Sequence, residues 1–199
     1  MNILFAPWQR KLIDVFVQYL ASLPINNGED EGKIRKGCTI LVRDKLTGRT
    51  YAFQVGDDTV ERFAMTWVFA NEKMERLAVN GQTRSFFTED VANKRFGGAV
   101  ANTQHIVSVS GWLAVQDEVL ATIILAMLSV SKEGIMALKV AKGSLETILD
   151  QKDFVWGIHP YIQLFYTANV QSSKRPDTCF HLWNDFAKER GVTDLPLVA

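Results

Sequence analysis

The sequence holds few of the residues on which metal-built, disulfide-stabilised or membrane-spanning proteins depend. It has only two cysteines and three histidines among 199 residues, and none shows the close paired spacing of a structural zinc site. Two cysteines in a chain of this length are typical of reduced residues in a cytoplasmic protein. The first residues lack the basic segment and apolar core of a secretory signal, and the longest apolar run, residues 119–128, is about half the length of a membrane span. We therefore expect a cytoplasmic protein without a metal centre, a disulfide or a membrane span.

An excess of charge of either sign is also missing. The 22 basic residues balance 22 acidic residues, and the sequence pI is near 6.8. The net charge therefore provides no general electrostatic attraction to phosphate backbones or to anionic lipid. We expect neither nucleic acid nor a membrane surface as a partner. In contrast, the hydrophobic content of 47% suffices for a sizeable core.

Hydrophobic periodicity alternates between the patterns of helices and strands along the chain. An amphipathic helix is predicted between Pro7 and Pro24, and a polar segment at residues 26–33 predicts a surface linker without a core residue. Two hairpins and three further helices are predicted over residues 38–55, 58–80, 96–110, 116–128 and 177–190. This order predicts an α/β (α+β) fold with an antiparallel sheet flanked by helices, and the two apolar faces of the first strand indicate a central position.

The pattern divides the chain into two parts. Residues 1–130 contain all the predicted strands and form a core domain of sheet and helices. Residues 131–199 form a mainly helical C-terminal extension, with weak helical signals at 135–140 and 145–149 and a clear amphipathic helix at 177–190. The apolar side of that last helix carries Phe180, Trp183, Phe186 and Ala187.

The helix at 58–80 carries apolar residues on both sides. Its main stripe, which we expect to face the core, contains Val60, Phe63, Ala64, Trp67, Ala70, Met74, Leu77 and Ala78. Met65 and Phe69 lie opposite, among charged residues that include Lys73 and Arg76. We interpret Met65 and Phe69 as part of an interface between copies of the chain, which predicts a homo-oligomer. The alternative is that they are isolated exposed apolar residues, which are common on monomers.

Reactive side chains are scattered, and no catalytic residue is assigned. Ser108 and Ser110 lie in no nucleophile-elbow motif, and Cys179 and His181 point about 200° apart on a helix, which disfavours a joint metal site. The candidates for ligand binding are His105 and the pair Gly97-Gly98, whose backbone permits close approach. The alternatives are a strand-end histidine with local hydrogen bonds and a glycine pair that marks a turn. Whether the chain is an enzyme stays open at this point.

The order of elements between residues 38 and 128 resembles the GlcG/HbpS-like family. The residues that carry the resemblance are Thr39-Ile40-Leu41-Val42, Thr47-Gly48, Tyr51-Ala52-Phe53, Trp67, Lys73, Ser85-Phe86-Phe87, Gly97-Gly98, Val107-Ser108-Val109-Ser110-Gly111 and Gln116-Asp117-Glu118. The resemblance implies a compact profilin-like domain that assembles into dimers or larger rings. It also implies that haem or corrinoid is a conceivable cofactor, because some members bind these groups.

Two functional hypotheses follow. The first is an oligomeric small-molecule-binding or scaffold protein without catalytic machinery. The alternative is a cofactor-binding protein, for haem or corrinoid, or a small-molecule enzyme with a pocket near His105 and Gly97-Gly98.

Overall fold

The computed structural model describes residues 4–28, 34–129, 158–159, 161–166 and 176–191. By internal contacts the chain divides into two compact units, Met1–Leu125 and Ala126–Ala199. The first unit contains helices α1 (Pro7–Ser22), α2 (Pro24–Asn27) and α3 (Val60–Asn80), strands β1 (Gly37–Asp44), β2 (Thr50–Gly56), β3 (Ala99–Ala101) and β4 (His105–Ser110), and most of α4 (Ala114–Ser129). Two short 3-10 turns, Ser85–Thr88 and Val91–Asn93, lie between α3 and β3. In the second unit, residues 158–159 and 161–166 are helical and α5 covers Pro176–Glu189.

The four strands form one antiparallel sheet in the order β2-β1-β4-β3. The predicted α+β fold, with an antiparallel sheet flanked by helices, is confirmed, and so is the central position of β1. Leu41 pairs with Ala52 of β2 on one side and with Ser108 of β4 on the other. In the turn between β1 and β2, Asp44 accepts hydrogen bonds from the backbone N–H groups of Leu46 and Thr47. This Asx-type turn is the local chemistry that makes the hairpin readable from sequence.

Each face of the sheet is covered by a different helix. On one face, the Thr39 hydroxyl lies 2.8 Å from the Thr66 hydroxyl of α3, and Leu41 packs in a cluster with Ala70, Met74 and Leu77. On the other face, Phe53 packs against Phe5 at 5.2 Å between ring centroids, and α1 contacts β2. Successive side chains of β1 point to opposite faces of the sheet, and both sets are buried.

The side of α3 that faces the sheet differs from the prediction. Ala70, Met74 and Leu77 are buried as expected, but Trp67 is 46% exposed and Val60 is 80% exposed. Lys73 and Arg76, which were expected among surface charges, are buried. The physical reason is that these long cationic side chains reach oxygen partners beyond the helix, and these contacts offset the cost of burying the charge. The pattern of apolar residues does not reveal such partners.

Arg76 ties the segment after α3 to the helix. Its Nη1 donates to the carbonyl oxygens of Ser85 and Thr88, each at 2.8 Å, and its Nη2 donates to the carbonyl of Phe96 at 2.6 Å. Glu72, one turn earlier, pairs with the same guanidinium at 2.9 Å. One buried arginine thus holds together a segment that has little regular structure.

The polar segment that begins at Asn26 is not entirely a surface linker. Asn26 is fully buried, and its amide nitrogen donates to the carbonyl of Leu20 at 2.7 Å and to Oε1 of Gln116 at 3.1 Å. The prediction that this segment contains no core residue is therefore wrong at Asn26. Its amide joins α1 to the start of α4. The prediction failed because a polar segment is ordinarily exposed to solvent.

In the second unit, α5 confirms the predicted helix, with Trp183, Phe186 and Ala187 buried. Gly191 adopts a left-handed conformation (φ 73°) at its end. The helices predicted at 135–140 and 145–149 lie outside the described residues. Among the described residues, no helix combines the length with the apolarity that crossing a bilayer requires.

Candidate functional site

A cavity of about 280 Å³ lies between α3 and the turn that joins β4 to α4. Its floor contains Lys73, Ser110 and Asp117, which are polar and buried. Its walls are mainly apolar: Met65, Phe69, Phe96, Trp112 and Leu113. Two arginines, Arg35 and Arg62, also line it. An apolar cavity with a few convergent polar groups is the usual form of a small-molecule site.

Lys73 and Asp117 form a buried ion pair at the floor. The Nζ of Lys73 lies 2.9 Å from Oδ2 of Asp117 and donates a second hydrogen bond to the carbonyl of Val109 at 2.8 Å. Oδ1 of Asp117 accepts from the backbone N–H of Trp112 at 2.9 Å. The side chains are 2% and 3% exposed, so each charge relies on the other. The pair joins α3, β4 and the first turn of α4 at one point.

Burial raises the pKa of Asp117 from its ordinary 3.8 to about 6. The charge and hydrogen bond of Lys73 and the N–H of Trp112 act in the opposite direction, because they favour the ionised carboxylate. Desolvation is the larger effect. At neutral pH Asp117 is ionised and paired with Lys73, and it takes up a proton in mildly acidic solution.

Gly98 provides the space in which this pair lies. It has φ of 113°, and a β-carbon there would meet the Cβ of Asp117 at 2.5 Å, the Nζ of Lys73 at 2.8 Å and the carbonyl of Val109 at 3.0 Å. Gly97 is different, since a β-carbon there would make only ordinary contacts of 3.6 Å or more. The sequence predicted ligand binding for Gly97-Gly98. In the structure, the requirement for glycine at 98 comes from the chain's own buried pair.

Arg35 and Arg62 bring two positive charges to the same cavity. Nη2 of Arg62 donates to the carbonyl of Gly111 at 3.0 Å, and its Nε pairs with Asp58. Nη1 of Arg35 donates to the carbonyl of Ile25 at 3.3 Å. Burial, together with the nearby Arg62 guanidinium, lowers the pKa of Arg35, as expected for two cations that repel each other. The negative charge of Asp117 acts in the opposite direction and raises the pKa of Arg35.

Phe69 belongs to the cavity more than to an outer surface. It is half-buried and packs edge-to-face on Phe96, with ring centroids 5.7 Å apart and an interplanar angle of 72°. Met65 is 49% exposed and also lines the cavity. Of the two residues predicted to form an interface, only Met65 is largely open to solvent.

His105 lies away from Gly98 along β4. The N–H of Val109 donates to the carbonyl of Gly98, so Gly98 lies beside the far end of β4 from His105. Val109 lies four positions along the strand from His105, which corresponds to roughly 13 Å. His105 is half-buried opposite Asp44, and burial lowers its pKa while Asp44 raises it. The structure therefore places His105 and Gly98 at opposite ends of β4.

A second buried ion pair lies next to the first. Glu118 follows Asp117 in α4, and its Oε1 accepts from Nε of Arg84 at 2.8 Å. The Arg84 guanidinium lies 5.5 and 5.3 Å from the ring centroids of Phe86 and Phe87, which favours the cation. Sequence reasoning interpreted the carboxylates of Asp117 and Glu118 as partners of the helix dipole. The available signal was that two adjacent acidic residues opened an almost wholly apolar helix.

The described lining residues of the cavity include no cysteine or histidine, and its lysine and aspartate are hydrogen-bonded to each other. Across the described parts of the chain, no group of three or more His, Cys, Asp or Glu side chains is placed to hold a metal ion. Comparison with family models, curated proteins and solved structures finds no match to this chain.

Proposed function

We propose that this protein binds a small molecule in the cavity above Lys73 and Asp117 and does not transform it. The observation that carries the proposal is the combination of aromatic walls, a buried ion pair at the floor and two arginines around one cavity of about 280 Å³. That volume is near the lower end of the range for ligand pockets, which favours a compact ligand over a macrocycle. The pair supplies a rigid floor, and the arginines and aromatic rings supply the groups that recognise a ligand.

A thermal-shift screen of metabolites and cofactors tests this proposal. A ligand that binds the folded chain raises the apparent melting temperature by mass action, whatever its identity. Ala114 lines the cavity and is only partly exposed, so Ala114→Phe is designed to fill it. We expect at least one compound to stabilise the natural chain and to lose its effect on Ala114→Phe. Stabilisation that is equal in both proteins would contradict the cavity as the site, and a screen without any stabilising compound would contradict small-molecule binding.

We also propose that the chain self-associates through the outer face of α3. Four apolar residues in the first turns of this helix are substantially exposed: Val60, Met65, Trp67 and Val68. The net charge of the chain is zero, so it produces no overall repulsion between copies. A second copy that presents the same face would bury these side chains. The resemblance to the GlcG/HbpS-like family, which implies oligomers, agrees with this proposal.

Light scattering after size exclusion tests self-association. Val68→Asp should convert an oligomer into a monomer, because a carboxylate would be buried against an apolar face. Val79→Asp is the matched control: Val79 is on the same helix and is 82% exposed, but it lies near the other end. Phe69 is unsuitable for this test since it packs on Phe96. A natural chain that is monomeric at micromolar concentration would exclude this proposal.

The haem alternative has its own test. We expect haemin titration to show no saturable Soret shift that depends on His105, because His105 lies away from the cavity and beside Asp44. The titration of His105→Ala should therefore match that of the natural chain. A saturable shift that depends on His105 would support the cofactor hypothesis instead.

A further inference from the structure

We infer that the open edge of β2 is a second contact surface, on which another copy of this chain adds its own β2 in antiparallel register. This edge is separate from the cavity and from the outer face of α3, so the inference goes beyond the proposed function. It is carried by the direction of the backbone groups of β2, by the composition of the strand and by the charges at its two ends.

One side of β2 has backbone groups that can pair with a further strand. β2 is at the end of the strand order, and β1 is its only neighbour among the described strands. The N–H of Asp57 donates to the carbonyl of Lys36 at 3.0 Å, which shows that odd-numbered residues of this segment bond towards β1. Bonded and non-bonded positions alternate in an antiparallel ladder, so the backbone groups of Ala52 and Gln54 point away from β1. Both residues are exposed.

The two edges of the sheet differ in how they are protected. Beside β3, the N–H of Ala101 donates to the carbonyl of Thr83 at 2.8 Å, and Arg84 forms a bridge with Val100. β2 contains neither a proline nor a charged residue, and its register with β1 continues over the whole strand. Proline, inward charge and bulges are the usual features that keep an edge from pairing. The composition of β2 therefore permits a further strand.

β2 is complementary to itself in one register. If a two-fold axis passes at Phe53, Ala52 lies opposite the partner subunit's Gln54, and the reverse pair forms on the other side of the axis. The outward backbone groups of these residues then face each other, and each pair exchanges two N–H···O bonds. Phe53 lies opposite its own counterpart, and aromatic pairs across strands are favourable.

Charges at the two ends of β2 select this register. Arg49 and Asp57 are each four positions from Phe53, and both are exposed. Neither takes part in the ion pairs described for this chain. In the register centred on Phe53, each Arg49 lies opposite the partner subunit's Asp57, so two pairs of opposite charge form. A shift by two residues would lose both pairs, which makes a second copy the occupant that fits this edge.

The expected association is weak. Strand pairing at one edge covers less surface than a standard interface, so we expect a dissociation constant of about 0.1–1 mM. The Val68→Asp chain, which we expect to be monomeric at micromolar concentration, is therefore the background for the test. In this background, association through the α3 face does not contribute.

The first measurement is amide hydrogen exchange by NMR at about 50 µM and about 1 mM Val68→Asp chain. We expect the N–H groups of Ala52 and Gln54 to exchange at least about twofold more slowly at the higher concentration, because pairing protects them. The N–H groups of Tyr51 and Phe53, which bond to β1, are the internal control and should show no such change. Absence of concentration dependence at Ala52 and Gln54 would overturn the inference.

Charge variants in the same background test the register by sedimentation equilibrium. Arg49→Asp and Asp57→Arg should each weaken association about tenfold, because each places two like-charged pairs opposite one another. A mixture of the two variants should associate as tightly as the unaltered edge, since opposite charges then face each other again. Lys94→Asp is the matched control: it makes the same change of charge at an exposed residue before β3 and should have no effect.

Backbone pairing has its own variant. Ala52→Pro removes an N–H that points away from β1, so it should abolish association and retain the fold. Equal association of Arg49→Asp and Lys94→Asp, or a mixture that does not regain affinity, would overturn the inference, and this result stands even if Ala52→Pro does not fold. Either failure leaves the cavity and the α3 face untouched. A natural chain that is monomeric at micromolar concentration excludes the α3 face alone, and the same variants then test the β2 edge in the natural chain.

Discussion

A β-carbon on Gly98 would lie 2.5 Å from the β-carbon of Asp117, a separation that real side chains do not adopt. The same hypothetical atom would lie 2.8 Å from the Nζ of Lys73. The glycine and the ion pair therefore depend on each other: the chain passes close over two buried charges because it carries no side chain there. This relationship makes residue 98 a sensitive test of the floor of the cavity.

Gly98→Ala should destabilise the fold strongly. The left-handed backbone strains a side chain, and the new methyl group collides with Asp117 and with the carbonyl of Val109, which are not free to move away. We expect a loss of more than about 2 kcal/mol in the free energy of unfolding, measured by urea denaturation. Gly97→Ala is the matched control and should change stability by no more than about 0.5 kcal/mol. Equal effects of the two substitutions would show that the backbone at 98 relaxes easily.

Removing one member of the ion pair should be worse than removing both. Lys73→Met leaves the Asp117 carboxyl without its cation in a buried place, and we expect a loss of about 3–5 kcal/mol at neutral pH. The double variant Lys73→Met with Asp117→Leu replaces both charges by apolar groups. It should lose clearly less than the sum of the single losses, as a double-mutant cycle in urea measures. Additive losses would mean that the two groups act independently despite their contact at 2.9 Å.

Stability should fall as the pH rises from about 4 to about 6. Burial raises the folded-state pKa of Asp117 to about 6, whereas the unfolded value stays near 3.8. In this interval the folded state binds the proton and the unfolded state does not, so raising the pH favours unfolding. The expected decrease is up to about 3 kcal/mol and levels off above pH 6. The Asp117→Asn variant has no carboxyl group at this position. The difference in the free energy of unfolding between the natural chain and this variant should therefore change with pH over the same interval. A flat difference would place the pKa of Asp117 near its ordinary value.

In the second unit, His159 should act in the opposite direction. It is buried, its Nδ1 accepts a hydrogen bond from Nε1 of Trp183 at 2.9 Å, and the two rings are stacked 6.4 Å apart. Burial lowers the pKa of His159, although Gln163 raises it. The folded state therefore favours the neutral form of His159. Its stabilising effect is present at neutral pH and is lost as the pH falls below the unfolded value near 6.5.

Substitutions at His159 check this contact. His159→Leu leaves the buried Trp183 N–H without an acceptor, and we expect a loss of about 1–3 kcal/mol in unfolding followed by tryptophan fluorescence. His159→Asn retains an acceptor and should lose less. His181→Leu, at an exposed histidine of α5, is the control and should be nearly neutral. A loss in His181→Leu as large as that in His159→Leu would argue against the Trp183 contact as the cause.

Local chemistry explains why the elements were readable from sequence. The hairpin was predicted at 38–55 and lies at Gly37–Gly56, because alternation of apolar residues and the Asp44 turn are properties of adjacent residues. The long helix was predicted at 58–80 and covers Val60–Asn80, with the Thr59 hydroxyl accepting from the N–H of Arg62 at its start and Gly81 in a left-handed conformation at its end. Caps and turns act within four residues, so a single segment contains the whole signal.

The cavity was not readable in the same way. Gly98 was named as a candidate, but His105 was placed with it and lies at the opposite end of β4. Lys73 was expected on the surface and is buried. A lysine on a helix is ordinarily solvated, and only the partner on another element reverses this preference.

The chain alone determined its class of fold, the hairpin, the boundaries of the long helices and the lack of a readable catalytic motif, since each follows from composition or from contacts between near neighbours. The tertiary structure alone decided which charges are buried and which residues line the cavity. Lys73 meets a carboxylate 44 positions away, and Arg84 meets one 34 positions away. Burial of a charge is favourable only when its partner is in place, and that partner is supplied by the packing of α3, β4 and α4 together.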